Sequence, residues 1–308
     1  MKLKGMVGRM SDKHLWTKER EIDFFTKSLK IATPEQLFYV TKDGKYYAYW
    51  PKNYKGVKTT LQSRNAFIGA YTEKWSQEIL NPIAKELNAH AVRNVVCEEL
   101  ELAKGSPADV AICRTNSIFQ KPEDIIAIFE VKMSIVWNWE LLKNNSEFSL
   151  KCLGDYRTHQ GNPGLLRSDT MLKAIGKSIS VRIASLKSAK IPIIILGNTP
   201  ITKSYYTKVD NLKNYGIIQG FWSLNPTPLD NNGENIKSTE NEGFLRFDSY
   251  SEFKQHLLEL LKEERMFFAG MKTKKELGRF IEIANKEDTY EKKAEKFLNL
   301  MRFGENGK

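Results

Sequence analysis

The sequence contains two apolar segments of strand length that carry charged residues, Gly105-Ser-Pro-Ala-Asp-Val-Ala-Ile-Cys113 and Ile125-Ile-Ala-Ile-Phe-Glu-Val-Lys-Met133. Alternate side chains of a strand point to the same face, so Glu130 and Lys132 lie on one side of the second segment. If the two segments pair as neighbouring strands, Asp109 joins them. Because unpaired charges are costly to bury, two carboxylates and an ammonium in an apolar sheet indicate a bound metal ion or a tight charged network.

These residue types suit the hydrolysis of phosphate esters. Carboxylate oxygens are preferred ligands of Mg²⁺, which also binds substrate phosphates. A lysine beside them can orient or deprotonate the attacking water and offset the charge that develops on phosphorus. The same triplet recurs at Glu252-Phe-Lys254 and Glu291-Lys-Lys293, but neither lies in an apolar, strand-like run. We interpret both of these as pairs on helix surfaces.

The segments Ser-Pro-Ala-Asp109 and Glu130-Val-Lys132 together resemble the two-part motif of the PD-(D/E)xK nuclease superfamily. Ala108 stands between the proline and the aspartate of the first half, and the second half matches without departure. The resemblance covers about residues 63–197, and the chain looks most like a type II restriction endonuclease. It implies a restriction-endonuclease-like mixed sheet, with Asp109 and Glu130 as ligands of Mg²⁺ (or of Mn²⁺ as a substitute) and Lys132 as the third catalytic residue.

Many such nucleases add a glutamate from the helix before the first motif strand, and two candidates exist here. Glu73 follows Gly69 in a Gly-x-x-x-Glu pattern similar to that of the family. Helical periodicity, at about 100° per residue, places Glu78 at the edge of the apolar stripe through Ile68 and Ile79, with Glu73 roughly opposite. Both residues stay open as auxiliary metal ligands, and so does the alternative that both are surface residues.

The pattern of apolar residues predicts a mixed α/β (α+β) fold with a central mixed sheet flanked by helices. Helices are expected over residues 15–30, 63–88 and 168–187 and from residue 249 to near the end, and strands over 91–97, 108–113, 125–133, 191–197 and 217–222. The order strand, helix, strand across 125–197 implies a right-handed parallel crossover. A hairpin is expected around Asp43-Gly44, and a polar crossover segment after Met133.

We expect three regions along the chain. Residues 1–60 form an N-terminal helix and hairpin that is accessory or contacts DNA, residues 61–224 form the catalytic core, and residues 225–308 form an exposed loop followed by a strand and a helical C-terminal region. With 41% hydrophobic and 28% charged residues in 308, the chain can bury a substantial core, which argues against disorder.

The charge distribution favours a polyanionic partner. The formal net charge is +11, with 13 basic and 6 acidic residues in 1–60, 11 and 3 in 151–215, and 9 and 12 in 61–150. An acidic centre between basic segments suits a metal-dependent enzyme that acts on phosphates, although ordinary solvated surface gives the same pattern. Arg167, Lys173 and Lys177 begin the helix after the candidate site and are candidates for binding DNA phosphates, the alternative being a solvated helix face.

Other features of the sequence indicate where in the cell the protein is expected to act. Residues 1–10 contain no apolar run typical of a leader peptide, and no segment approaches the roughly 18 apolar residues that span a bilayer. Three widely spaced cysteines argue against a disulfide framework and a structural zinc site. We therefore expect a prokaryotic cytoplasmic protein with no membrane partner.

Taken together, these features predict a Mg²⁺-dependent restriction-type endonuclease that cuts double-stranded DNA, with a cognate DNA methyltransferase encoded nearby. One alternative is a repair, recombination or defence nuclease that acts on branched or single-stranded nucleic acid with the same site. The other is a basic, non-catalytic DNA-binding protein in which the strand charges form a structural salt bridge.

A homodimer is expected, because one active site per chain and a symmetric target are most simply reconciled by two-fold symmetry. The apolar-striped segment Phe253–Phe268 could supply the interface, or it could pack onto its own core.

Overall fold

The structure is a computed structural model that describes residues 15–58, 61–144, 147–230, 235–268 and 270–304. Residues 1–10, for which no leader peptide is expected, lie outside these ranges. The described helices are α1 (Lys18–Ser28), α2 (Pro34–Leu37), α3 (Gln62–Glu86), α4 (Ser168–Ala184), α5 (Tyr206–Asn214), α6 (Tyr250–Lys262), α7 (Lys274–Ala284) and α8 (Tyr290–Phe303). The described strands are β1 (Tyr39–Val40), β2 (Tyr46–Tyr47), β3 (His90–Val95), β4 (Ala108–Cys113), β5 (Ile125–Lys132), β6 (Asn138–Asn144), β7 (Glu147–Gly154), β8 (Ile193–Gly197), β9 (Gly220–Ser223) and β10 (Phe244–Arg246).

The main sheet has six strands in the order β10-β9-β8-β5-β4-β3. Strands β3, β4 and β5 pair antiparallel, whereas β5, β8, β9 and β10 pair parallel, so the sheet is mixed and the predicted mixed α/β class is confirmed. The parallel pairing of β5 with β8 across α4 is the crossover expected from the sequence. All five residues of β8 are buried. This is expected for a continuous apolar strand in a sheet that is covered on both faces.

A second sheet, in the order β1-β2-β6-β7, was not predicted. The hairpin around Gly44, which has a φ of +75°, was expected, but β2 also pairs antiparallel with β6, and β6 with β7. The expectation of a polar crossover after Met133 was therefore wrong for residues 138–154. In β6 the side chains of Asn138, Trp139 and Leu141 are buried, whereas that of Lys143 is exposed. Polar residues are common in a small sheet that has one face exposed to solvent.

The N-terminal region shares its core with the main sheet. Trp16 is fully buried and meets Trp75 of α3 edge to face, with ring centroids 5.3 Å apart, and Phe24 and Phe25 belong to the same apolar cluster as Phe129 of β5. The described residues up to Glu264 form one compact unit. The N-terminal helix therefore helps to build the body that carries β4 and β5.

The C-terminal region contains three separate helices rather than one helical stretch. Ser249 caps α6, accepting a hydrogen bond from the Glu252 amide, and α6 buries Phe253 and Leu257 in the main core. The residues from Arg265 onward form a second compact unit, in which α7 and α8 enclose a small apolar cluster. Among the described residues, no helix is both long and apolar enough to cross a membrane.

Candidate active site

The candidate site lies where β4 and β5 separate. The antiparallel ladder between them ends at the pair Val110–Phe129, and the next residue of β4 is Asp109. The Asp109 carboxylate replaces the missing backbone partner, because its Oδ2 accepts a hydrogen bond from the Val131 amide at 2.7 Å. The end of the ladder therefore fixes one acid of the site.

Glu130 and Lys132 lie on the same face of β5 as neighbours at i and i+2. The Lys132 Nζ is 2.5 Å from Glu130 Oε1 and 3.6 Å from Asp109 Oδ2. The three residues singled out from the sequence therefore lie together, with Lys132 within ion-pair distance of both acids. Only 7% of the Glu130 side chain and 20% of the Lys132 side chain are exposed, so the cluster is mostly buried but still reachable from solvent.

A second lysine joins the cluster from α4. The Lys177 Nζ lies 2.7 Å from Glu130 Oε2 and 3.4 Å from Asp109 Oδ1, and it donates a hydrogen bond to the Pro107 carbonyl oxygen at 2.8 Å. Lys177 was expected to contact phosphate, and the sequence analysis did not predict that it would pair with both acids. Its neighbours Ala174 and Ser178 are buried, so Lys177 borders the packed face of α4. The helical spacing of these small residues was the signal in the sequence that could have predicted this position of Lys177.

The two carboxylates set the protonation of Lys132. Burial acts to lower the pKa of Lys132, but the charges of Glu130 and Asp109 outweigh it, so this pKa is raised above its ordinary value. Lys132 therefore carries a proton at neutral pH in this state. It acts here as an ammonium that donates hydrogen bonds, not as a free base.

The two glutamates of α3 differ in their surroundings. Glu73 is half-buried, and burial together with the negative charge of Asp109 raises its pKa, while Lys132 and Lys177 act to lower it. Glu78 is exposed. The expected helix phase, with Glu78 nearer the buried stripe, was therefore wrong: Glu73 is the more buried of the two, and the charges of Asp109, Lys132 and Lys177 act on it. Its role as an auxiliary metal ligand stays a prediction.

The other two cations proposed to bind DNA lie on the surface at the start of α4. Arg167 forms an exposed ion pair with Asp169 at 2.8 Å, and Lys173 is exposed one turn before Lys177. The structure thus brings Lys177 into the site and leaves Arg167 and Lys173 outside it.

The start of α4 is held beside Lys132 by a glycine. Gly164 has a φ of +51°, and a Cβ at this position would lie 3.3 Å from the Lys132 carbonyl oxygen and 3.0 Å from Thr199 Oγ1. The next residue, Leu165, donates its amide to the same Thr199 hydroxyl at 2.9 Å. A side chain at residue 164 would push this segment away from the end of β5, which explains the glycine.

The oxygens around Lys177 offer a position for a cation. Asp109 Oδ1, Glu130 Oε2 and the Pro107 carbonyl already surround one positively charged nitrogen. Within the described part of the chain, no group of three or more His, Cys, Asp or Glu side chains could hold a metal ion. Mg²⁺ commonly uses one or two carboxylates and completes its shell with water and substrate phosphate, so this donor set suits it.

Comparisons of the chain with protein-family models, with curated proteins and with solved structures find no match.

Proposed function

We propose that this protein is a Mg²⁺-dependent endonuclease of the restriction type that hydrolyses phosphodiester bonds of double-stranded DNA at a specific sequence. The observation that carries the proposal is the cluster of Asp109, Glu130, Lys132 and Lys177 at the separating ends of two strands. A purely structural salt bridge needs neither two acids nor a position open to solvent. Metal-dependent hydrolysis of a phosphodiester uses acids that hold the ion, a cation that offsets the developing charge, and access for the substrate.

Asp109 and Glu130 would hold the Mg²⁺ ion, which supplies a Lewis acid for phosphate oxygens and water. The Val131 amide keeps Asp109 in place by a 2.7 Å hydrogen bond. Lys132 donates hydrogen bonds from its ammonium, so it is suited to orient the attacking water and to offset charge on the phosphate. Glu73, whose pKa is raised by burial and by the charge of Asp109, would be the auxiliary acid of α3.

The substrate class is proposed from charge. The net charge of +11 favours a polyanion, and Arg167 and Lys173 extend the positive charge of Lys177 along the start of α4. Phosphates of a duplex that enters the site would meet Lys177, and those farther along the duplex would meet Arg167 and Lys173 on the surface. Sequence specificity and a neighbouring methyltransferase gene belong to the same proposal.

The test is an incubation of the full-length protein with plasmid and with a mixed pool of duplexes, in Mg²⁺ and in EDTA. Defined fragments in Mg²⁺ and intact DNA in EDTA are expected. Single-stranded and branched substrates are run in parallel, and cleavage of these alone would move the proposal to a repair or recombination nuclease. Binding without cleavage of any substrate, in Mg²⁺ or Mn²⁺, would contradict a nuclease.

A further inference from the structure

Lys177 occupies the position between Asp109 and Glu130 that a divalent cation would need. We propose that Lys177 is an internal counter-cation. In the cation-free protein its ammonium neutralises the two acids, and when Mg²⁺ and DNA bind it moves away from the acids and contacts a DNA phosphate instead. Lys177 would thereby couple the binding of the divalent cation to the binding of the nucleic acid. This inference rests on the proposed nuclease function.

The two lysines use different oxygens of the acids. Lys132 contacts Asp109 Oδ2 and Glu130 Oε1, whereas Lys177 contacts Asp109 Oδ1 and Glu130 Oε2. Asp109 Oδ2 also accepts the Val131 amide, so the side of the cluster that faces Lys132 is tied to β5. Withdrawal of Lys177 would release one oxygen from each acid and the Pro107 carbonyl, all facing one position.

The charges within this group balance without a metal ion. Asp109 and Glu130 carry two negative charges, and Lys132 and Lys177 carry two positive ones. A divalent cation that approaches the free oxygens therefore meets an ammonium within ion-pair distance of both acids and gains little net attraction. Removal of the Lys177 charge leaves the cluster negative, so cation affinity should rise.

Lys177 has both the reach and the freedom to move. It belongs to α4, separate from the two strands, and 22% of its side chain is exposed. Its backbone is fixed by the buried neighbours Ala174 and Ser178, so only the long side chain needs to turn. A phosphate at the start of α4 offers the ammonium a replacement partner, and DNA should therefore raise the affinity for the cation. By linkage, the cation should raise the affinity for DNA by the same factor.

The experiment measures Mn²⁺ binding by electron paramagnetic resonance of the free ion, with the full-length protein and without DNA. Wild type is compared with K177M and K177Q, and with K173M, which removes the same charge one turn earlier on α4 and touches neither acid. We expect K177M and K177Q to bind Mn²⁺ roughly tenfold more tightly or better than wild type, and K173M to match wild type. Circular dichroism establishes that each variant is folded, and the Mn²⁺-induced rise in Tm provides a second measure of binding.

The coupling is tested by repeating the titration with a saturating, phosphorothioate-protected duplex. DNA should lower the Mn²⁺ Kd of wild type several-fold and leave that of K177M nearly unchanged. If wild type cleaves DNA but K177M and K177Q bind Mn²⁺ no more tightly than wild type, the role of Lys177 is overturned and the nuclease stands. If no variant binds Mn²⁺ and no substrate is cleaved, the proposed function itself fails.

Discussion

At the scale of single residues, the acids of the site lie in opposite electrostatic surroundings. Glu130 is almost fully buried and contacts two ammonium groups, at 2.5 Å and 2.7 Å. Glu73 is half-buried, and burial and the charge of Asp109 raise its pKa. Removal of charge should therefore have opposite effects on stability at these two positions.

In EDTA at pH 7, E130Q should lower the free energy of unfolding by about 2–3 kcal/mol, because it leaves two lysines with fewer partners in a mostly buried cluster. E73Q should leave the free energy of unfolding unchanged or slightly higher, because its charged form is disfavoured by the fold. Urea denaturation followed by tryptophan fluorescence measures both. A stabilising E130Q would show that the acids repel each other more than the lysines attract them.

Sequence reasoning singled out the strand residues of the site and left the helix acid open between Glu73 and Glu78. Asp109, Glu130 and Lys132 follow from the two-residue repeat of a strand, which has little freedom once the pairing is known. Glu73 was placed on the wrong side because the phase was taken from large apolar residues only. The small polar residues Thr72 and Ser76 are buried too, and they turn the packed face of α3 toward Glu73.

At the scale of elements, a buried carboxylate attaches α1 to the segment that leads from β5 into β6. Glu21 is fully buried. Its Oε1 accepts hydrogen bonds from the Val136 amide at 2.6 Å and from the Trp16 indole at 3.0 Å. Its Oε2 accepts the Trp139 indole at 2.7 Å and the Trp137 amide at 3.2 Å. Burial raises the pKa of Glu21 to about 7, although all four donors act to lower it.

This raised pKa predicts a pH dependence of stability. Between the ordinary pKa of 4.5 and the folded value of about 7, the folded protein keeps a proton that the unfolded chain has lost. The contribution is fully present below pH 4.5 and is lost as the pH rises through 7, by up to about 3 kcal/mol. E21Q cannot titrate, so the difference between the wild-type and E21Q free energies of unfolding should change across this range. Parallel curves from pH 4.5 to 8 would contradict this assignment.

The sequence predicted most of the larger elements to within three residues at each end. Strands β4, β5 and β8 and helices α3 and α4 have apolar patterns, continuous in β8, that local propensity and burial both favour. The β6–β7 hairpin was missed because its strands are rich in polar residues and because β6 also pairs with β2, which is distant in the sequence. Such pairing leaves only a weak alternation in the strand itself.

At the scale of the whole molecule, the apolar stripe that suggested a dimer has a different role. Phe253 and Leu257 are fully buried in the core of the same chain, and Leu258, Leu260 and Leu261 pack against it. Helix α6 ends at Lys262, so Phe267 and Phe268 do not continue its face. The dimer remains a prediction, and the buried part of this stripe is not available to form its interface.

Light scattering of the full-length protein tests the dimer. A symmetric duplex cut on both strands predicts a mass of twice 35.5 kDa, at least when DNA is bound. A protein mass of 35.5 kDa both without DNA and, after the mass of the DNA is subtracted, in the complex, with both strands still cut, would show that one chain acts in sequence on the two strands.

The most direct test of the account is the single-turnover rate of duplex cleavage in Mg²⁺ by K132M. Its matched control is K254M. Lys254 belongs to another Glu-x-Lys triplet, and its ammonium pairs with Glu86 on the surface. We predict that K132M binds DNA as wild type does but cleaves it about a hundredfold more slowly or not at all, whereas K254M cleaves at the wild-type rate. A folded K132M that cleaves within a few-fold of wild type would contradict the assignment of this cluster as the active site.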